Sequence, residues 1–181
     1  LSSTTWCPMP EPKSSESAPR PSTPRYQAGG EHTLALTGRG EVYSAGACGL
    51  GWTRARDLFP ALFRWRAACV PEPVTAIAAG YYHSLAIAAS GALYAWGCGT
   101  FTDGKFDGAI PALGQGAAAP SETTAPARVS LPRNARAVEV AAGAYHSVVR
   151  TDGGDVVTFG AAQLGQLARA TPDGATDSAR L

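Results

Sequence analysis

Short apolar runs separated by turn residues dominate the chain after residue 25. From position 83 the run His-Ser-Leu-Ala-Ile-Ala is followed by the turn Ala-Ser-Gly-Ala and by the run Leu-Tyr-Ala-Trp, which ends at Gly97. Apolar and aromatic runs of this length, bounded by glycine and serine, are typical of β-strands. The pattern therefore predicts a β-hairpin.

Three more segments predict strands outside that hairpin. Residues 74–79 and 137–142 are rich in alanine and valine, and side chains this small would let neighbouring sheets approach closely. Residues 126–132 begin and end with proline, which cannot donate a backbone hydrogen bond to a neighbouring strand. That segment is therefore predicted to be an edge strand.

The hairpin pattern occurs three times in register. Each copy has a glycine, two variable residues, a histidine and a hydroxyl residue, with further glycines eight and fourteen residues after the histidine. The histidines lie 51 and 63 residues apart, and periods near fifty favour propeller blades. The shared positions are Gly29, His32, Gly40 and Gly46; Gly80, His83, Gly91 and Gly97; and Gly143, His146, Gly154 and Gly160.

The repeats resemble the regulator of chromosome condensation repeat over residues 26–170. Tyr94-Ala95-Trp96-Gly97 and the stretches 113–116 and 163–167 match its motifs best. The resemblance implies an all-β fold, a β-propeller of that type with about three four-stranded blades in a partial ring. Seven blades close the ring in that family. We therefore expect this chain to be part of a longer protein, or its sheet edges to be covered by other chains.

The repeats divide the chain into four predicted parts. Residues 1–25 form a Pro/Ser-rich extended tail, which cannot bury a core and is expected to lie on a partner chain or on the propeller. Residues 26–73 form the first repeat with an Arg/aromatic insertion, and residues 74–136 form the second with a Gly/Asp-rich loop. Residues 137–181 form an incomplete third repeat with no evident closing strand.

The shared residues favour structural roles over chemistry. All three histidines of the chain occupy one repeat position, which a structural role requires and a catalytic or metal-binding role does not. We expect buried imidazoles that bond to the backbone across the turn, and we assign the repeat glycines and Trp96 to the same structural set. A plant ultraviolet photoreceptor uses the fold that the resemblance implies, but its Trp-Arg motif before the histidine is absent here, so photoreception is not expected.

One segment combines arginines with large aromatic side chains and departs from the repeat pattern. This composition is typical of protein-interface hot spots. Two alternatives are an insertion that fills the core and a surface that contacts an RNA backbone. The candidate interface residues are Arg54, Arg56, Phe59, Phe63, Arg64, Trp65 and Arg66.

Candidate cofactor and metal motifs are incomplete. Residues 99–106 approach a phosphate-binding loop, but Phe106 stands where a hydroxyl is needed, and Asp103 and Asp107 do not have calcium-loop spacing. The four cysteines form no Cys-x-x-Cys pair. We therefore predict no cofactor, no metal, no catalytic residues and no enzyme activity.

Composition narrows the class of partner. The chain has 181 residues, 45% of them hydrophobic, and a formal net charge of +1, which gives no bulk electrostatic argument for nucleic acid. No apolar run reaches the length of a membrane span, so membrane insertion is not expected. The sequence predicts a non-catalytic interaction scaffold, intracellular and held by other protein chains of a large assembly. The alternatives are a guanine-nucleotide exchange factor for a small GTPase and an RNA-contacting subunit of a ribonucleoprotein particle.

Overall fold

The computed structural model of the protein describes residues 25–46, 65–98, 113–115, 122–162, 164–168 and 179–180. These residues form strands and one turn of 3-10 helix, arranged as three antiparallel four-stranded sheets. The predicted all-β fold of four-stranded units is confirmed. Within the described ranges no helix is long and apolar enough to cross a membrane.

The first sheet has its strands in chain order. They are β1 (Arg25–Ala28), β2 (His32–Leu36), β3 (Val42–Gly46) and β4 (Arg66–Ala68). Alternate residues of β2 are buried, with Leu34 fully enclosed, because successive side chains of a strand point to opposite faces. Only one face of this sheet is therefore covered by a neighbouring described sheet.

The second sheet lies between the other two. Its strands are β5 (Val74–Ala79), β6 (His83–Ala88), β7 (Leu93–Cys98) and β8 (Glu122–Val129). Every residue of β6 is buried, on both faces of the strand. A strand enclosed on both sides needs a continuous apolar run rather than an alternating one, and this is the run on which the hairpin prediction was based.

The third sheet repeats the arrangement, and its outer strand is short. Its strands are β9 (Ala137–Ala142), β10 (His146–Thr151), β11 (Val156–Gly160) and β12 (Ala179–Arg180). The sequence shows no evident closing strand for this repeat, whereas in the structure β12 pairs with β11 through Val157–Arg180 and Thr158–Ala179. A strand of two residues is too short to show an alternation of apolar and polar positions, so the sequence pattern could not reveal β12.

The hydrophobic core lies in two seams between the sheets. In the first seam Leu34 and Leu36 pack with Ile77, Ala86 and Trp96 of the second sheet. The second seam joins the second and third sheets, and its buried residues include Leu85, Ile87, Leu93, Val149 and Phe159. Each sheet thus buries its apolar side chains against the next, as neighbouring blades do.

The edge strand predicted at residues 126–132 is displaced. Strand β8 begins at Glu122 and ends at Val129, and Pro132–Asn134 form the 3-10 turn. Proline within β8 is tolerated because the strand pairs with β7 alone in the described sheet, so one side needs no N–H donor. The predicted strand boundaries were therefore wrong at both ends.

The predicted division into tail and repeats stays a prediction at its boundaries. Residues 1–24 of the Pro/Ser-rich tail, residues 99–112 of the Gly/Asp-rich loop and most of the Arg/aromatic insertion lie outside the described residues.

Candidate functional site

A histidine-to-serine hydrogen bond crosses each seam. His32 Nε2 lies 2.9 Å from Ser84 Oγ, and His83 Nε2 lies 3.0 Å from Ser147 Oγ. The sequence predicted that these rings bond to the backbone across the turn, and for Nε2 of His32 and His83 that prediction was wrong. The partner is the hydroxyl that follows the histidine of the next repeat, so each bond joins two sheets.

These pairs have the composition of a catalytic dyad, but a substrate could not reach their hydroxyls. Ser84 and Ser147 are 1% and 0% exposed, and His83 is 1% exposed. A nucleophile must reach its substrate, and these hydroxyls are enclosed between sheets. The pairs therefore act as structural bonds that join neighbouring sheets.

Burial also keeps both imidazoles neutral. It lowers the pKa of His32 to about 4, and burial followed by repulsion from His32 and His146 lowers the pKa of His83 to about 4. An imidazolium needs an acceptor at each nitrogen, and Nδ1 of His32 has none within the described part of the chain. At neutral pH these rings are uncharged and contribute no positive charge to a binding surface.

Each repeat glycine lies where a side chain would collide with the fold, where φ is positive, or where both hold. A Cβ at Gly80 would meet the His83 ring and would lie 2.8 Å from the Gly143 carbonyl oxygen. Gly97 has a φ of +114°, a conformation that side-chain-bearing residues rarely adopt. The other glycines of the set lie at matching places in their own repeats, namely Gly29, Gly40, Gly46, Gly91, Gly143, Gly154 and Gly160.

Three tyrosines form a patch at one end of the sheets, in the turns before the histidines. The ring of Tyr81 lies 4.6 Å from that of Tyr82 and 5.9 Å from that of Tyr145, centroid to centroid, and stacks on the latter at 28°. The Tyr82 hydroxyl donates to Glu31 Oε1 over a long distance of 3.5 Å. We call Tyr81, Tyr82, Tyr145 and Glu31 the aromatic rim.

The aromatic rim exists because neighbouring repeats place their variable turn residues side by side. Gly30 has no side chain, and Tyr81 lies over it, since a Cβ there would be 2.5 Å from the Tyr81 ring. Tyr81 keeps 39% of its surface exposed. At these positions the sequence excluded a photoreceptor motif and predicted no surface. Their shared register before each histidine was the signal that could have predicted a common surface.

The candidate interface segment is described only at its end. Trp65 is 49% exposed, and Arg66 begins β4, where it pairs across the sheet with Ser44. The remaining candidates lie outside the described residues, namely Arg54, Arg56, Phe59, Phe63 and Arg64. The interface assignment of this segment stays a prediction.

Trp96 lies in the first seam with 1% of its surface exposed. In the ranges that the structure describes, no three histidine, cysteine, aspartate or glutamate side chains come together in a group that could hold a metal ion.

Known sequences contain the repeat found in this chain. A profile described as the regulator of chromosome condensation (RCC1) repeat matches residues 74–102 and 137–166. The secretion-regulating guanine nucleotide exchange factor of Bos taurus is 34% identical over 147 residues, which cover 77% of this chain and 30% of that protein. The regulator of chromosome condensation of Mus musculus is 32% identical over 150 residues, which cover 79% of this chain and 32% of that protein. The chain thus spans about a third of the length of these relatives.

Comparison with solved structures agrees on the fold. The structure of Prp20p from Saccharomyces cerevisiae matches with a TM-score of 0.61 and 24% sequence identity. That structure is described together with the binding of Prp20p to Gsp1p and histones. The match covers 84% of this chain and 37% of that one. The three sheets therefore resemble blades of this class of propeller, and the similarity extends to the fold alone.

Proposed function

This chain is built of regulator of chromosome condensation repeats that form β-propeller blades, and on that premise we propose that it is a non-catalytic protein-interaction segment. The aromatic rim is the surface that would bind the partner protein. Propellers carry many functions, so the proposal rests on this surface rather than on the fold.

The observation that carries the proposal is the exposed Tyr81, which stacks on the half-buried Tyr145. Beside Tyr81 lies Tyr82 with its Glu31 partner. Tyrosine supplies large contact area with a polar hydroxyl, and it is enriched in protein interfaces and their hot spots. The faces of the Tyr81 and Tyr145 rings attract cations, and Glu31 adds a negative charge nearby. A basic side chain of the partner protein fits this combination.

Affinity capture with a matched pair of variants tests the rim. Tyr81→Ala should reduce recovery of the bound partner at least about tenfold, as expected for a hot-spot residue. Tyr26→Ala is the control, because Tyr26 lies on β1, does not belong to the rim and is 60% exposed. The proposal is rejected if wild type and both variants recover the same proteins in the same amounts while circular dichroism shows them folded.

Guanine-nucleotide exchange on a small GTPase is a second candidate, favoured by the bovine relative that bears this activity in its name. A loaded fluorescent GDP analogue would be released faster in the presence of the chain if this function holds. Release at the intrinsic rate from every small GTPase tried would reject exchange and leave the interaction proposal in place.

Residence in a large assembly is the finer form of the interaction proposal. Gradient sedimentation of a gentle lysate would place the chain with a heavy particle if it is a structural subunit. Contact with RNA in such a particle is based mainly on arginines outside the described residues, and no observation here favours it.

A further inference from the structure

A polar cleft of about 280 Å³ opens where the second sheet meets the third. It is walled by the turn between β6 and β7, by the end of β8 and by the loop that leads to β9. Two arginines, Arg128 and Arg136, line it together with Ser90, Ser130 and Asn134. None of its described lining residues is acidic. We call this feature the arginine cleft.

Among the described residues, neither arginine of the cleft forms an ion pair. In the described ranges the only ion pair between an arginine and a carboxylate joins Arg150 Nε to Glu139 Oε2 at 2.9 Å. The charge of Arg128 acts on Glu72 without a direct ion pair, and Glu72 is held by hydroxyls instead. Hydrogen bonds from Ser90 and then Tyr94 lower its pKa, and the Tyr94 hydroxyl lies 2.9 Å from Oε1. Two positive charges thus face the cleft.

The fold does not require an arginine at position 136. In the first seam the corresponding residue is Pro73, which covers Gly40 as Arg136 covers Gly91. The backbone bonds are the same, since the N–H of the following residue donates to the glycine carbonyl at 2.8 Å in both seams. Proline serves this position equally well, so the guanidinium of Arg136 is not explained by structure.

The fold does not require an arginine at position 128 either. Arg128 pairs across the sheet with Tyr94, and at the equivalent pairing in the first sheet Tyr43 faces Ala67. The methyl group of Ala67 is therefore enough for this pairing between the third and fourth strands of a sheet. Both positive charges are additions to the repeat, and both point to one cleft.

The Arg136 side chain packs against the glycine of the turn. The Arg136 side chain lies along Gly91, because a Cβ on that glycine would be 2.6 Å from Arg136 Cβ and 2.9 Å from its Nε. A side chain packed in this way loses less conformational freedom on binding.

We propose that the arginine cleft binds a phosphomonoester group. The planar guanidinium matches the geometry of phosphate oxygens and donates charge-assisted hydrogen bonds. Two guanidiniums balance the charge of the dianion, and the Ser130 hydroxyl and the Asn134 amide provide further donors. The site is independent of the aromatic rim. The group could belong to a phosphorylated partner protein or to a small phosphate ester.

Titration calorimetry on the whole chain tests the site with defined probes. The probes are a phosphoserine peptide, the same peptide without phosphate, free O-phosphoserine and free serine. We expect at least one phosphorylated probe to bind more tightly than its unphosphorylated counterpart. Preference for the peptide indicates a phosphorylated protein as the source, and equal binding of O-phosphoserine indicates a small ester.

Variants connect that binding to the cleft. Arg128→Gln and Arg136→Gln should each weaken binding at least about tenfold through loss of a charged hydrogen bond. Arg39→Gln, in the exposed turn of the first hairpin, should leave the affinity unchanged. The proposal is overturned if neither phosphorylated probe binds better than its counterpart, or if both cleft variants bind as tightly as wild type.

Discussion

At the scale of single residues, the glycine three residues before each histidine is explained by the imidazole that lies on it, as at Gly29, Gly80 and Gly143. The ring of His83 occupies the space that a side chain on Gly80 would need, and a carbonyl of the next sheet closes the same space. Backbone atoms cannot move aside as a flexible side chain can. Glycine is therefore required at this position by space rather than by backbone angles.

A pair of glycine variants tests that explanation. Gly80→Ala should lower the free energy of unfolding by about 3 kcal/mol, the cost of overpacking an enclosed site. Gly153→Ala is the control, since the nearest atom to its new Cβ would be Thr151 Oγ1 at 3.9 Å. It should change stability by less than about 0.5 kcal/mol. Equal urea midpoints for the two variants would contradict the explanation.

At the scale of elements, the sheets are joined by apolar seams with one enclosed polar bond in each. Neutral His32 and His83 satisfy Ser84 and Ser147, and their burial holds both pKa values at about 4, below the ordinary value of 6.5. As pH falls, the unfolded chain therefore binds protons before the folded chain does. The stability provided by the neutral rings is complete above pH 6.5 and is lost between pH 6.5 and 4.

This linkage predicts an acid-sensitive seam. When the pH falls from 7 to 5, each of the two histidines should lower the free energy of unfolding by about 2 kcal/mol. Other titrating groups add their own contributions. His83→Asn removes one of these titrations, so its stability should fall less steeply than that of wild type. Urea unfolding at several pH values measures both slopes. Parallel slopes would show that burial of His83 does not depress its pKa.

At the scale of the whole molecule, the outer face of the third sheet differs from the faces that form the seams. Arg150 and Glu139 pair across this sheet at the positions that Ile87 and Ala76 occupy in the second sheet. Their ion pair leaves the side chains 47% and 68% exposed. Charges on a sheet face oppose stacking against another apolar sheet.

Removing those charges should therefore promote association of the chain. The double variant Glu139→Ala/Arg150→Leu makes the face as apolar as the seams, and we expect a concentration-dependent rise in sedimentation coefficient. Arg39→Leu/Glu41→Ala makes a similar change of composition in an exposed turn and serves as the control. Identical sedimentation of the two double variants would contradict a role of this face in limiting association.

The sequence by itself determined what local pattern encodes. Apolar runs and turn glycines predicted the strands around His83 and their three copies, because strand formation and turn geometry depend on neighbours a few residues away. The same reasoning missed β12 and misplaced β8, since the first is too short to carry a pattern and the second is an edge strand that contains a proline.

Only the tertiary structure decided what the repeats do together. The bond from His32 to Ser84, the stacking of Tyr81 on Tyr145 and the convergence of Arg128 and Arg136 on one cleft join residues of different strands and sheets. Residue spacing does not state which faces of successive sheets will meet. That outcome depends on how the small and apolar side chains of each sheet pack against the next, and it places both candidate sites at the junctions between repeats.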